Sequence, residues 1–204
     1  MNESAWDSRI ASWTSAMLVL CALLAGAGLV LPSGKASAAP AAGYRPMSAP
    51  AKPVRLVVPA LKIKAPILPI EVNAQAVLDP PRNPRDVGWW QRSAQPGARV
   101  GQTVLTGHTV HTGGGVMHKL GTLRKGQLVR VVTPKGTMTY STTRVVTWSK
   151  AELARRAVDI FAQKRSDVRL VLITCSGWTG SSYTSNVVVF AKPLGVRERP
   201  TRTA

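Results

Sequence analysis

Cysteine is scarce. The 204 residues hold two, Cys21 and Cys175, which excludes a disulfide-stapled scaffold and a cysteine-rich zinc module. Acids are scarce too: nine Asp and Glu face 27 Lys and Arg, a formal net charge of +18. They form no cluster of the kind that holds calcium. The basic residues come singly or in pairs, densest at Arg124-Lys125, Arg155-Arg156 and Lys164-Arg165. A run of about five or six like charges is missing, which speaks against a nucleic-acid tail. The charge reads as a solvated basic surface or as attraction to a polyanionic surrounding. No internal repeat is visible. What is present is 45% hydrophobic residues, enough for a packed core and too many for wholesale disorder.

The apolar residues are unevenly placed. After a short flank, residues 1–9, the stretch from Ile10 to Leu31 carries no charge. About 20 apolar residues can cross a hydrocarbon core as a helix, and Pro32-Ser33-Gly34 then breaks the run. A signal peptide cleaved near Ala38 is the rival reading, because Ala36-Ser37-Ala38 offers small residues. The run exceeds the roughly 7–15 residues of a signal-peptide core, so an uncleaved anchor is favoured. Arg9, Glu3 and Asp7 lie before it; Lys35, Arg45, Lys52 and Arg55 lie after it. That balance opposes the positive-inside rule for an outward C-terminal domain, but the rule weakens when a whole domain follows. A single-pass protein of the cell membrane with an extracellular domain is therefore the expectation. Residues 32–53 are Ala- and Pro-rich and read as a linker; residues 195–204 read as a loose polar tail. The folded domain is expected at residues 54–194, a usual single-domain size.

That domain reads as mainly β. Segments rich in Val, Ile, Leu, Thr and Tyr lie at Val54–Val58, Leu61–Ile67, Thr103–Gly107, Leu128–Thr133, Thr137–Val146, Val168–Thr174 and Asn186–Ala191, with Gly or Pro between them. Pro134-Lys135-Gly136 looks like a hairpin turn. Ser149 can cap a helix over Ala151–Phe161, with Glu152 in its first turn, and a shorter helical turn is expected at Val116–Leu120. Many short strands with turn signals favour a closed barrel or a sandwich.

With Cys21 in the apolar segment, Cys175 is alone in the domain. An unpaired thiol outside the cell is a liability unless it has a task; otherwise it is a small buried hydrophobe. It follows the strand Val168–Thr174 and precedes the loop-like Ser176-Gly177-Trp178-Thr179-Gly180, and functional groups often sit where strands open into loops. Of three histidines, His108 follows the strand Thr103–Gly107 in the same way. An imidazole near a thiol can take its proton and make it a nucleophile. His111 and His118 flank Gly113-Gly114-Gly115 and read as exposed loop residues. A zinc site from the three is weak, since their spacing matches no standard finger or helix pair.

Thr103-Val104-Leu105-Thr106-Gly107-His108, Leu170-Val171-Leu172-Ile173-Thr174-Cys175 and Asn186-Val187-Val188-Val189-Phe190-Ala191 together resemble the sortases, cysteine transpeptidases of Gram-positive cell surfaces. Leu56-Val57-Val58-Pro59-Ala60-Leu61, Val87-Gly88-Trp89-Trp90 and Lys119-Leu120-Gly121-Thr122-Leu123 extend the likeness over the domain. Val-Gly-Trp-Trp and Tyr183 with Asn186-Val-Val-Val look most like the class E and F sortases of actinobacteria. The resemblance implies a closed β-barrel of about eight strands with one or two short helices and no cofactor. It implies that Cys175 attacks a sorting signal similar to L-P-x-T-G to form a thioester. His108 would protonate the leaving amine and then deprotonate the incoming one. The partners would be surface proteins with a C-terminal sorting signal, an amine of a cell-wall precursor or another acceptor, and the membrane, with no nucleic acid.

One family residue is missing. Sortases carry an arginine on the strand after the cysteine, which helps hold the oxyanion. Here that stretch is Tyr183-Thr184-Ser185-Asn186, and the position falls at Thr184 or Asn186. Three readings stay open: Asn186 substitutes with an uncharged donor, an arginine such as Arg144 reaches in from elsewhere, or the enzyme is slow. The last motivates an alternative, a catalytically weak surface binding module on a sortase scaffold. Trp178, three residues past Cys175, is a candidate groove wall or a loop-packing residue. Trp89 and Trp90 face opposite sides of any strand, with one expected in the core.

Overall fold

The computed structural model describes residues 42–74 and 77–197. The apolar stretch from Ile10 to Leu31, the Ala36-Ser37-Ala38 pattern and the end of the tail lie outside them. Among the described residues, no helix is long and apolar enough to cross a membrane.

Among the described residues nine strands form: β1 (Tyr44–Arg45), β2 (Arg55–Val58), β3 (Ile63–Ile70), β4 (Val87–Trp90), β5 (Gln102–Gly107), β6 (Leu128–Thr133), β7 (Gly136–Ser149), β8 (Arg169–Trp178) and β9 (Tyr183–Arg197). Two short helices, α1 (Lys150–Arg155) and α2 (Ala157–Phe161), lie between β7 and β8. Eight strands close a barrel in the order β9-β7-β6-β2-β3-β4-β5-β8, because β8 pairs with β9 again. β1 adds to the outer side of β9. β3 with β4 and β5 with β8 run parallel; the other pairs are antiparallel.

Alternation along the strands sorts side chains to the two faces of the wall. Leu105, Leu170, Leu172, Val187 and Val189 fill the barrel with Leu56, Val131 and Trp89. Val104, Val171, Ile173, Val188 and Phe190 point outward and are covered by Trp148 and by Ile160 of α2. Both faces of β5 and β8 are thus buried, which explains their near-continuous apolar sequence. Trp89 is in the barrel, its indole N–H donating to Ser93 at 2.9 Å; Trp90 packs outside, edge-on to Phe161 at 5.3 Å.

Several boundaries differ from the sequence reading. The Ala/Pro-rich linker joins the fold, since Tyr44-Arg45 pairs with Val196-Arg197 and Met47 and Ala51 are buried. The expected tail therefore begins inside β9. β4 had no strand signal beyond its tryptophans, because four residues with a central glycine show no alternation. The helix over Ala151–Phe161 is two helices meeting at Arg156, and the break leaves Val158 in solvent while turning Ile160 into the outer core. Ser149 caps α1 as read: its hydroxyl accepts from the Glu152 amide and the Glu152 carboxylate accepts from the Ser149 amide. The turn expected at Val116–Leu120 becomes a 3-10 helix at Leu120–Thr122 preceded by turns. The two-residue turn Pro134-Lys135 joins β6 to β7 as read.

Candidate active site

Cys175 does not end its strand. β8 runs on to Trp178 and β9 starts at Tyr183, with Ser176 paired to Ser185 and Trp178 to Tyr183. The aromatic pair, 5.0 Å between ring centroids, closes the hairpin tip. Gly177 takes φ +70°, and a Cβ there would lie 2.6 Å from the Thr184 hydroxyl, so glycine is needed beside that strand. Cys175 stands half-buried within the hairpin, opposite Asn186.

β5 ends one residue before His108, and its parallel register with β8 pairs Thr106 with Ile173. Two residues further along, His108 comes level with Cys175. Thr174 fixes this arrangement. Its hydroxyl donates to the Gly107 carbonyl at 2.7 Å, and Thr109 lies on it at 2.8 Å. Since the single Thr174 proton goes to Gly107, Thr109 is the donor to Thr174. The residue before Cys175 is thus tied to both neighbours of His108. Gly107 permits the approach, because a Cβ there would meet Met117 and Val116 at 2.8 Å.

His108 Nε2 lies 2.8 Å from the Pro81 carbonyl. A carbonyl only accepts, so Nε2 carries the proton and Nδ1 is the nitrogen left to accept one. Asn186 Nδ2 donates to the Thr174 carbonyl at 3.3 Å and lies 3.9 Å from Cys175 Sγ. Thr184 is exposed and donates its hydroxyl to the Gly177 carbonyl at 3.0 Å, so that donor is engaged within the hairpin. Arg144 does not reach in: its guanidinium lies over the Trp148 ring, 5.6 Å from the centroid, and it lines a different cavity with Arg156, Phe190 and Lys192. Burial pushes the Cys175 thiol above its ordinary pKa; the positive charge of Lys150 pulls it down and the carboxylate of Asp79 pushes it up.

A cavity of about 320 Å³ opens beside Cys175, lined by Thr109, His111, His118, Thr174, Trp178 and Tyr183 among others. His111 and His118 are exposed, as the glycine-rich loop suggests, yet both line it. His111 stacks flat on Trp178, 4.2 Å between centroids and 5° between planes. Trp178, held between His111 and Tyr183, is therefore both packed and a wall. The hydroxyls of Ser176 and Tyr183 are buried without a hydrogen-bond partner, with the His111 main chain the polar group beside Tyr183. Among the described residues, no three His, Cys, Asp or Glu gather as a metal cluster. Sequence reasoning singled out Cys175, His108 and Asn186, and the strand register sets the three close together. It missed Thr174, Asp79, Lys150 and the His111 stack, which only pairing across strands brings together.

A strand-borne thiol, an imidazole level with it and an amide donor beside it suit acyl transfer through a covalent intermediate. The sortase domain family model matches residues 56–194. The fold is similar to sortase C-1 from Actinomyces oris (21% identity, 70% of this chain and 72% of that chain, TM-score 0.55). It is also similar to Streptococcus agalactiae sortase C1 (16%, 72% and 72%, 0.57). A third likeness is to sortase A from Corynebacterium diphtheriae (15%, 75% and 64%, 0.56). No curated protein matches the chain. With the family model spanning the whole barrel, the chain belongs to the sortase family, whose members are cysteine transpeptidases.

Proposed function

We propose that this sortase is anchored in the cell membrane by the stretch from Ile10 to Leu31 and works outside the cell on L-P-x-T-G-like sorting signals. The supporting observation is the Thr174 bridge, which holds Cys175 level with His108. The Cys175 thiol gives its proton to His108 Nδ1, and the sulfur, as thiolate, attacks the threonine carbonyl of the Thr–Gly bond so that an S–C bond forms. The C–N bond breaks as the leaving amine takes a proton from His108, leaving a thioester. An acceptor amine then attacks the thioester carbon and gives its proton to His108. A new C–N bond forms and the Cys175 thiolate departs. Asn186 supplies the donor beside the sulfur, and an amide without charge holds an oxyanion less strongly than a cation does. The subtype we assign is class E/F, on Val87-Gly88-Trp89-Trp90 and Tyr183 with Asn186-Val187-Val188-Val189.

The test is incubation of the full chain with a library of L-P-x-T-G-like peptides and mass spectrometry of the Cys175 peptide. An acyl adduct on Cys175 is expected, released by added amine. It should vanish in Cys175→Ala, and turnover should vanish in His108→Ala. Binding of such peptides with no adduct at any pH would favour the binding-module reading instead.

A further inference from the structure

Cys175 sits half-buried, and its partner Asn186 carries no charge. A thiolate and the oxyanion that follows it are both stabilised by positive charge nearby. The candidate cations sort by what already holds them. Arg144 and Arg156 lie over the Trp148 ring at 5.6 and 4.7 Å. Arg165 and Arg169 are bonded to Asp159, and Arg165 also to Asp167. Lys150 differs. Glu152, the acid on its own helix, is held by the Ser149 amide and hydroxyl, each at 2.9 Å, and feels Arg155 and Arg156. Lys150 has no ion-pair partner among the described residues.

Strand register shows where Lys150 stands. β7 and β9 pair Trp148 with Asn186 and Ser149 with Ser185. Lys150 follows at once, so it leaves the sheet level with Thr184. Asn186 is in turn paired with Cys175. Cross-strand partners share a face, so Trp148, Asn186 and Cys175 form one row. The start of α1, which packs on both β7 and β9, sets Lys150 two residues further along, one row beyond Cys175 on the same side of the β7–β9–β8 ladder. We propose that Lys150 supplies the positive charge of the Cys175 site, acting from the first turn of α1 on the thiolate across the β7–β9–β8 ladder. Its pull on Cys175 is opposed by Asp79 from the β3–β4 connection. The other titratable groups about the thiol are His108 at the end of β5, His111 and His118 in the cavity wall, and Tyr183 on β9. The proposal rests on Cys175 as the nucleophile but needs no particular peptide.

The experiment is the pH profile of Cys175 alkylation by iodoacetamide in the full chain, followed on the Cys175 peptide so that Cys21 does not contribute. Lys150→Gln should move the midpoint up by roughly half to one pH unit, which slows alkylation near neutral pH about three- to tenfold. Lys150→Arg should keep the wild-type midpoint. High salt should shrink the difference between wild type and Lys150→Gln. Superimposed profiles of wild type and Lys150→Gln, with the fold intact by circular dichroism, would overturn the proposal. A slower rate at every pH with an unchanged midpoint would do so too, since it reports access and not charge. Failure of every sorting peptide with the midpoint shift intact would count against the proposed substrate and leave Lys150 in place.

Discussion

On the proposed reading, single side chains decide how the groove meets a peptide. Tyr183 serves two purposes: its ring packs on Trp178, and its buried hydroxyl lacks a partner. An unmade buried hydrogen bond is unfavourable in the free protein, so a peptide amide or carbonyl that meets this hydroxyl gains by it. Tyr183→Phe keeps the ring contact and removes the hydroxyl. Thermal stability should hold or rise, while KM for a sorting peptide should increase roughly two- to tenfold, the equivalent of one hydrogen bond of about 0.5–1.5 kcal/mol. An unchanged KM would place the hydroxyl outside the groove's recognition. Cys175 and His108 stand out in the chain because each is chemically rare and follows an apolar run. Thr174 was not. A threonine in a strand is ordinary, and only the parallel partner β5 turns its hydroxyl into the tie between the two.

Elements held by polar contacts carry the pH response. The short helix α2 is fastened to β5 and β8. The Gln102 amide donates to the Asp159 carbonyl at 2.8 Å and the Ala162 carbonyl at 3.1 Å, capping orphan carbonyls of the helix end. Arg169 bonds the Gln102 carbonyl oxygen at 2.7 Å and the Asp159 carboxylate at 3.0 Å. Partial burial pushes the Asp159 carboxyl up, but hydrogen bonds from Arg169 and Arg165 outweigh it and hold it below the ordinary carboxylate range. Hydrogen bonding from Arg165 does the same for Asp167. A depressed carboxylate contributes stability that is complete above its unfolded pKa and is lost as pH falls through the folded one. Tm should therefore fall on acidification below the ordinary carboxylate range. Asp159→Asn should flatten that acid limb in a Tm-against-pH series while lowering Tm at pH 7. An unaltered limb would show that other carboxylates carry it.

Across the whole molecule, charge is the dominant imbalance. The formal net charge is +18, and among the described residues ion pairs form only at Arg92–Glu71 and in the Asp159, Asp167, Arg165 and Arg169 group. Self-repulsion of that kind destabilises the compact state and is screened by salt. Raising sodium chloride from about 0.01 to 0.15 M, which shortens the screening length from roughly 30 to 8 Å, should raise Tm. A fall would mean that the few ion pairs outweigh the net repulsion. The same field attracts polyanions, so on the proposed reading it would draw the domain to an anionic cell envelope.

The chain by itself determined the class of the fold and the identity of the chemistry. Local alternation and turn residues mark β-strands wherever one face is buried, and a lone thiol and a lone strand-end imidazole name their own reactivity. It did not determine where strands stop: Ser176 to Trp178 extend β8 by pairing with Tyr183 to Ser185 across a tight hairpin, and Gly195 to Arg197 join the sheet through β7 and β1, which are distant in sequence. Nor did it place the charges around the thiol. Lys150 and Asp79 lie 25 and 96 positions from Cys175 along the chain, and barrel closure brings their fields to it. Register between β7, β9, β8 and β5 is a property of the closed sheet, set by which faces are buried together, and no local run of residues encodes it.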